Sequence, residues 1–130
     1  LLETEVIDVC GYKVFKDINS DEFYIVSPDK MDKISLAYMP YDNNLKCRKT
    51  LPNRKGYMIH ITSISMDVGP GDFITIKGSY AGFGKTLKKI SGNEFPDYVA
   101  PVDFNSITIH FTTDDVYDRS SGFALRVSCK

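Results

Sequence analysis

Alternating apolar and polar residues identify two half-buried strands near the C-terminal end of the chain. Apolar and polar side chains alternate from position 107 to position 112, in the order Ile107, Thr108, Ile109, His110, Phe111 and Thr112. The same alternation returns after an acidic turn, where Phe123, Leu125 and Val127 share one face. Because successive side chains of a strand point to opposite faces, each segment should bury one face and expose the other.

Short apolar segments of the same character recur along the chain and are separated by Gly, Pro, Asn and Asp. The predicted strands are Val6–Val9, Phe23–Val26, Tyr57–Met66, Phe73–Ile76, Ser106–Phe111 and Gly122–Val127. Short strands at close intervals, with turn residues between them, are typical of an antiparallel β-sandwich. We therefore predict an all-β fold.

Two segments leave local alternatives open. In the longest predicted strand the apolar phase slips between Ile61 and Ile64, which indicates either a bulge or a strand buried on both sides. Residues 27–38 fit a short helix with Ser27 as its N-cap and Pro28 at its first position. The same residues fit a loop followed by a strand equally well.

The length of 130 residues predicts one domain spanning positions 1–130, in which residues 1–20 can form an N-terminal extension. With 42% apolar and 25% charged residues, the chain has the composition of a folded globular protein. Its formal net charge of -1 argues against a nucleic-acid or anionic-membrane partner, since a protein that binds either of them needs an excess of basic residues. No apolar run approaches the ~20 residues of a membrane span, so we expect no membrane insertion. Because the chain begins at Leu1, we expect a processed mature chain or an excerpt of a longer one.

The three cysteines, Cys10, Cys47 and Cys129, match neither a metal-binding spacing nor a CxxC redox motif. In a small β-rich domain they favour one disulfide with one cysteine left over. A loop of the Cys10-to-Cys47 size would stabilise the fold by roughly 4 kcal/mol. The alternative is three buried thiols in a cytosolic protein.

The segment Gly78–Thr86 ends in Gly-Lys-Thr and superficially matches a phosphate-binding loop. That motif requires its first glycine where this chain has Ser79, and the residues that follow allow too short a helix. We therefore interpret the segment as a glycine-rich connection with exposed lysines. His60 and His110 lie in strand patterns away from any nucleophile motif, so we expect no catalytic activity.

Aspartates next to turns are the candidate functional residues. Asp67 and Asp72 flank a Gly-Pro-Gly turn, and Asp114 and Asp115 follow a predicted strand. If both turns lie at one end of the sandwich, the carboxylates repel one another by several kcal/mol at ~4 Å and an effective dielectric of ~20, unless a cation neutralises them. Oxygen ligands on flexible turns suit Ca²⁺. The alternative is that each aspartate caps its own turn and faces solvent.

Several short motifs, in this order and spacing, resemble those of a CUB domain. Phe23–Pro28 resembles the strand and Ser-Pro step that open the domain, and the Asn-rich stretch before Cys47 resembles the approach to its cysteine-led strand. Asp72–Gly78 resembles the family motif Asp-Tyr-Leu-x-Ile-x-Asp-Gly. Phe111–Asp114, followed by Gly122-Phe123, resembles Phe-x-Ser-Asp and Gly-Phe.

This resemblance implies a jelly-roll β-sandwich that is extracellular or secreted, non-catalytic and used for protein–protein contact. For the calcium-binding members it implies a Ca²⁺ site at Asp67, Asp72 and Asp114, which would receive a lysine or arginine side chain from a protein ligand. It also implies a Cys10–Cys47 disulfide, with the third cysteine unpaired or bonded outside the domain. Under this interpretation, Asp72→Ala should abolish the response to calcium and spare the fold.

A second functional hypothesis is a β-sandwich that binds carbohydrate or another small ligand. In that case exposed tyrosine rings would stack on the ligand. The candidates are Tyr12, Tyr38, Tyr41, Tyr57 and Tyr80. Ligand affinity that depends on the acidic residues would favour the protein-recognition module, and affinity that depends on the tyrosines would favour carbohydrate binding.

Overall fold

The computed structural model describes residues 5–11, 22–27, 41, 43–52, 58–80, 83–100, 104–116, 120 and 122–129. These residues form nine strands: β1 (Glu5–Asp8), β2 (Glu22–Val26), β3 (Lys46–Pro52), β4 (Ile59–Asp67), β5 (Phe73–Tyr80), β6 (Phe83–Ile90), β7 (Tyr98–Val99), β8 (Ser106–Thr112) and β9 (Gly122–Cys129). No helix occurs among them, and hence none that is long and apolar enough to cross a membrane.

The strands form a five-stranded sheet with the order β1-β2-β9-β4-β7 and a four-stranded sheet with the order β3-β8-β5-β6. Neighbouring strands pair antiparallel, except that β1 and β2 run parallel. The connection between these two strands is long enough for the crossover that parallel pairing needs. The two sheets confirm the predicted all-β, jelly-roll-like sandwich.

β8 shows why the sequence alternates as it does. It lies between β3 and β5 in the four-stranded sheet, and its burial alternates along its whole length. Ile107, Ile109 and Phe111 are each 0% exposed and face the other sheet. The polar residues between them, including His110, lie on the opposite face, as the alternation predicts.

An aromatic contact and a disulfide join the two sheets. The rings of Phe111 in β8 and Phe123 in β9 meet edge to face, with centroids 4.8 Å apart. The predicted disulfide is confirmed: Cys10, just after β1, is bonded to Cys47 in β3, and their Cα atoms are 4.9 Å apart. Cys129 is buried and is the one cysteine of the three outside this bond. The covalent link therefore ties an edge strand of one sheet to an edge strand of the other.

The phase slip in β4 is a bulge. The pairing of β4 with β9 shifts between Ser63 and Ser65, so that Ile64 has no partner opposite it in β9. Ile64 is 48% exposed, which is high for an isoleucine within a strand. The first of the two alternatives is therefore confirmed, and the bulge shifts the register of the following residues with β9 by one position.

The interpretation of Gly78–Thr86 as a connection is wrong. β5 continues to Tyr80 and β6 begins at Phe83, so most of the segment belongs to two paired strands. Gly78 is required inside β5, because a Cβ there would lie 2.6 Å from the ring of Phe104. β6 was missed because most of its side chains are exposed, which leaves little apolar periodicity to detect. The predicted helix, apart from Ser27, lies outside the described residues.

Candidate functional site

The predicted acidic residues lie at one end of the sandwich, which we call the acidic end. Asp67 is the last residue of β4, and Asp72 immediately precedes β5. Asp114 and Asp115 follow β8, whose last residue pairs with the first residue of β5. The two acidic turns are therefore neighbours in space, although more than forty residues separate them in the chain.

Asp72 is the centre of a buried hydrogen-bond network. Its side chain is 1% exposed. Its Oδ1 accepts a hydrogen bond of 2.8 Å from the backbone N–H of Asp114, and its Oδ2 accepts one of 2.6 Å from the Tyr41 hydroxyl. A buried carboxylate that accepts such bonds contributes to stability. With these contacts in place, we expect Asp72→Ala to destabilise the fold rather than to spare it.

Tyr41 connects this network to the hydrophobic core. Its hydroxyl also accepts a 2.8 Å hydrogen bond from the backbone N–H of Gly69, in the turn before Asp72. Its ring packs edge to face on Phe111, with centroids 4.9 Å apart. Tyr41 is only 3% exposed, so its proposed role as an exposed carbohydrate-stacking ring is wrong. The part of Tyr41 in the acidic end was not predicted, because sequence alone does not distinguish an exposed tyrosine from one whose hydroxyl has buried partners.

The other tyrosines of the carbohydrate-binding hypothesis do not have described side chains. Tyr12, Tyr38 and Tyr57 lie outside the described residues, and for Tyr80 the backbone of β5 is described. Tyr41, which is buried, is therefore the one tyrosine named by that hypothesis whose side chain is described, and the structure adds no support for carbohydrate stacking.

Asp114 lies across the turn that contains Gly71. Gly71 has a φ of 85°, which favours glycine, and a Cβ there would lie 2.1 Å from Asp114 Oδ2. The other carboxylate oxygen, Oδ1, accepts a 3.0 Å hydrogen bond from the backbone N–H of Val116. The glycine therefore allows the Asp114 carboxylate to approach the turn just before Asp72.

Asp67 and Asp115 contribute differently. Asp67 is half-buried and pairs with Gly122 in β9, and Asp115 is exposed. The carbonyl oxygen of Asp115 accepts a 3.3 Å hydrogen bond from the Asn43 side chain. Within the described ranges, no three Asp, Glu, His or Cys side chains form a group that could hold a metal ion. The fold thus brings Asp72 and Asp114 together and does not bring all four predicted ligands into one cluster.

The chain has the two sheets and the disulfide described above, and its sequence also matches a known family. The sequence matches the model of the CUB domain family over residues 10–127. This chain belongs to the CUB domain family. CUB domains are protein–protein interaction modules that are generally non-catalytic.

Solved CUB structures share the fold of this CUB domain. The CUB1-EGF-CUB2 domain of human MASP-1/3 is 22% identical, with a TM-score of 0.69 over 93% of this chain and 43% of that chain. The rat MASP-1 CUB1-EGF-CUB2 domains are 22% identical, with a TM-score of 0.64 over 84% of this chain and 38% of that chain. This CUB domain therefore spans less than half of either chain. The MASP-1 CUB2 domain bound to Ca²⁺ is 20% identical, with a TM-score of 0.62 over 95% of this chain and 96% of that chain.

Proposed function

We propose that residues 1–130 form one extracellular, non-catalytic recognition module that uses its acidic end to bind a lysine or arginine side chain of a protein ligand. The observation that supports this proposal is the meeting of Asp72 and Asp114 at the end of the sandwich. A carboxylate at the end of the sandwich suits a basic side chain, because charge-assisted hydrogen bonds are stronger than neutral ones.

The extracellular location and the single module are parts of the same proposal. Disulfides persist in oxidising compartments, and the Cys10–Cys47 bond links the two sheets of this domain. The first strand belongs to the same body, since Glu5–Asp8 pairs with β2 along its whole length. Residues 5–10 are thus integrated into the sandwich by both pairing and the disulfide.

We further propose that the acidic end binds Ca²⁺ through Asp67, Asp72 and Asp114, with Asp115 as an additional oxygen donor, and that these side chains draw together on binding, since they form no metal-binding group as they stand. Carboxylate oxygens fit the preference of this ion, and Asp114 Oδ2 already lies against the turn before Asp72. A structural neighbour, the MASP-1 CUB2 domain, is bound to Ca²⁺. When bound, the ion would supply positive charge that reduces repulsion between the carboxylates.

Thermal unfolding with calcium chloride and with a chelator tests the calcium site. Binding to the folded state alone should add about 2.7 kcal/mol of stability at a hundredfold excess of calcium over its dissociation constant. Magnesium should add less, since it requires stricter octahedral geometry. Asp114→Ala should remove the calcium-dependent shift, and Glu94→Gln, an exposed acid in another loop, should retain it. Identical melting curves in calcium and chelator would refute the calcium site without refuting protein recognition.

Binding to an array of peptides that carry lysine or arginine tests the recognition site itself. We expect Asp114→Ala to weaken capture of basic peptides and Glu94→Gln to leave it unchanged. Replacing the basic residue of a captured peptide by glutamine should have the same effect as Asp114→Ala. Capture that is indifferent to both changes would contradict the proposed use of the acidic end.

A further inference from the structure

A second surface lies on the four-stranded sheet, on the side that faces away from the core, and we call it the outer face. The register of the sheet aligns one outward residue from each strand in a row across it. That row contains Arg48 in β3, His110 in β8, Thr75 in β5 and Lys89 in β6. Two exposed cationic side chains therefore stand at the two ends of the row, and the half-buried His110 and Thr75, which is only 8% exposed, lie between them.

The neighbouring rows have the same character. One step along the strands, the next row contains Thr50, Thr108, Lys77 and Thr86. On the other side of the first row, Lys46 lies opposite Thr112. The outer face thus combines cations with hydroxyl groups over at least three rows.

Charge is strongly segregated between the two sheets. β3 contains three Lys or Arg residues, β5 contains one, and β6 contains three. None of the four strands of this sheet contains Asp or Glu. This sheet is therefore basic although the formal net charge of the whole chain is -1, because the acidic residues lie outside its four strands.

The cations of the outer face are accessible to a ligand. Lys46, Arg48, Lys77 and Lys89 are all exposed. A shallow depression of about 310 Å³ opens on this face and is lined by Lys46, Cys47, Arg48, His110 and Thr112. Its position lets a bound anion contact side chains from two adjacent strands.

The His110 side chain reports the positive potential of this surface. Its pKa is lowered, first by partial burial and then by the positive charges of Lys77 and Arg48. Lys89 extends over the ring of Phe73, with its Nζ 4.2 Å from the ring centroid. That contact orients the lysine along the outer face.

We propose that the outer face binds an extended sulfated polysaccharide. Adjacent strands are ~4.8 Å apart, so Arg48 and Lys89 stand about 14 Å apart across three such spacings. This distance lets one chain place successive sulfate groups on separate cations. The guanidinium of Arg48 suits the paired oxygens of a sulfate, and the threonine hydroxyls can donate to sulfate or accept from sugar hydroxyls.

Other polyanions fit this surface less well. Single-stranded nucleic acids bind where bases stack on open aromatic rings, and the outward Phe73 is covered by Lys89. An acidic protein segment would ordinarily bring apolar anchors into pockets, and the outer face offers hydroxyls and charges instead. The disulfide fits an oxidising compartment such as the extracellular space, where the outer face could meet a sulfated polysaccharide.

Calorimetric titration with a heparin oligosaccharide and its desulfated counterpart tests the proposal. The wild-type domain should bind the sulfated form, and the affinity should fall steeply with salt because counterions are released. The triple variant Arg48→Gln, Lys77→Gln, Lys89→Gln should weaken binding by roughly threefold to a hundredfold, since exposed ion pairs contribute about 1.4-fold to fivefold each. Titrations in calcium and in chelator keep this test independent of the calcium proposal.

A matched control lies in the same edge strand. Lys85 and Lys88 are exposed in β6, and they pair with the inward residues Gly78 and Ile76, so they point away from the outer face. The double variant Lys85→Gln, Lys88→Gln should retain wild-type affinity. Circular dichroism should show that both variants melt within a few degrees of the wild type, as expected for surface substitutions.

The possible results separate cleanly. Selective loss of sulfated-oligosaccharide binding in the triple variant supports the proposal. Equal loss in the Lys85/Lys88 control, equal binding of the desulfated oligosaccharide, or an absence of binding would overturn it. Tighter binding of a single-stranded oligonucleotide or of polyglutamate at equal charge would also overturn it, in favour of the corresponding class of ligand.

Discussion

The acidic end and the outer face share two strands, β5 and β8, but they differ in how far their charged side chains are buried. At the acidic end, the buried Asp72 carboxylate accepts hydrogen bonds from Tyr41 and Asp114, which come from distant parts of the chain. On the outer face, Arg48 and Lys89 remain exposed to water. A buried charge depends on its protein partners, whereas an exposed charge is solvated in any case. Substitution of the buried Asp72 should therefore cost stability, whereas substitution of Arg48 or Lys89 should cost ligand binding and little stability.

The largest effect should come from Asp72→Ala. We expect the free energy of unfolding to fall by about 4 kcal/mol, because two hydrogen bonds to the buried carboxylate are lost. Urea unfolding followed by circular dichroism measures this change. Asp115→Ala, at an exposed position of the same end, should change it by less than about 0.5 kcal/mol. Equal stability of the two variants would contradict a stabilising role for the buried Asp72 carboxylate.

Tyr41→Phe sharpens the comparison by removing one hydroxyl while keeping the ring packed on Phe111. We expect a loss of about 2 kcal/mol, since the hydroxyl both donates to Asp72 and accepts from Gly69. Tyr98→Phe, at a half-buried position in β7, should cost less.

A double-mutant cycle with Asp72→Ala isolates the direct contact, because residues in one hydrogen-bond network are not additive. Additive losses would show that the tyrosine hydroxyl and the carboxylate act separately.

Gly71→Ala should have the next largest effect, about 1–2 kcal/mol. The substitution adds strain at a φ of 85° and brings a Cβ within 2.1 Å of Asp114 Oδ2. Two other glycines separate these causes in urea unfolding. Gly92 has a φ of 89° with nothing within 4 Å of an added Cβ, and Gly84 has the same open space without a positive φ. A loss at Gly71 no greater than that at Gly92 would mean that the approach of Asp114 is unimportant.

His110→Gln should have the smallest effect and should appear only as a pH dependence. The pKa of folded His110 is lowered, by burial and then by Lys77 and Arg48, so the unfolded chain takes up its proton first. Wild-type stability should therefore fall as the pH drops below the unfolded value of about 6.5, towards the lower pKa of the folded state. Melting temperatures between neutral and mildly acidic pH should decline less in His110→Gln.

His60→Gln supplies the matched control, since His60 is exposed on the other sheet. Its melting temperatures provide the reference for replacing an exposed imidazole by an amide. A wild-type decline unchanged by His110→Gln would show that neither burial nor the cations of the outer face lower the pKa of this histidine.

Much of the fold could be predicted because it depends on local patterns. The alternation from Ile107 to Thr112 identified β8, and the phase slip before Ile64 located the bulge in β4. β6 was not predicted, because an exposed edge strand rich in lysine carries little apolar periodicity. The parallel pairing of β1 with β2 was also not predicted, since no local signal distinguishes it from antiparallel pairing.

The candidate site was predictable only in part. The Asp residues next to turns were identified from the sequence, and the structure brings Asp72 and Asp114 together. The role of Tyr41 was not predicted, because its partners Asp72 and Gly69 lie far from it in the chain. The burial of Asp72 was not predicted either, because a polar residue beside a turn ordinarily faces solvent.

By itself, the sequence determined the β class, the strand faces and the family, because side-chain periodicity and short motifs are properties of neighbouring residues. Tertiary structure alone decided which charges are buried and which are gathered on one surface. Pairing of β3, β8, β5 and β6 places cations from separate segments on the outer face. Packing of Tyr41 against Phe111 places its hydroxyl beside Asp72. Both outcomes depend on contacts between residues that are distant in the chain. Neither the net charge nor a local sequence pattern contains information about such contacts.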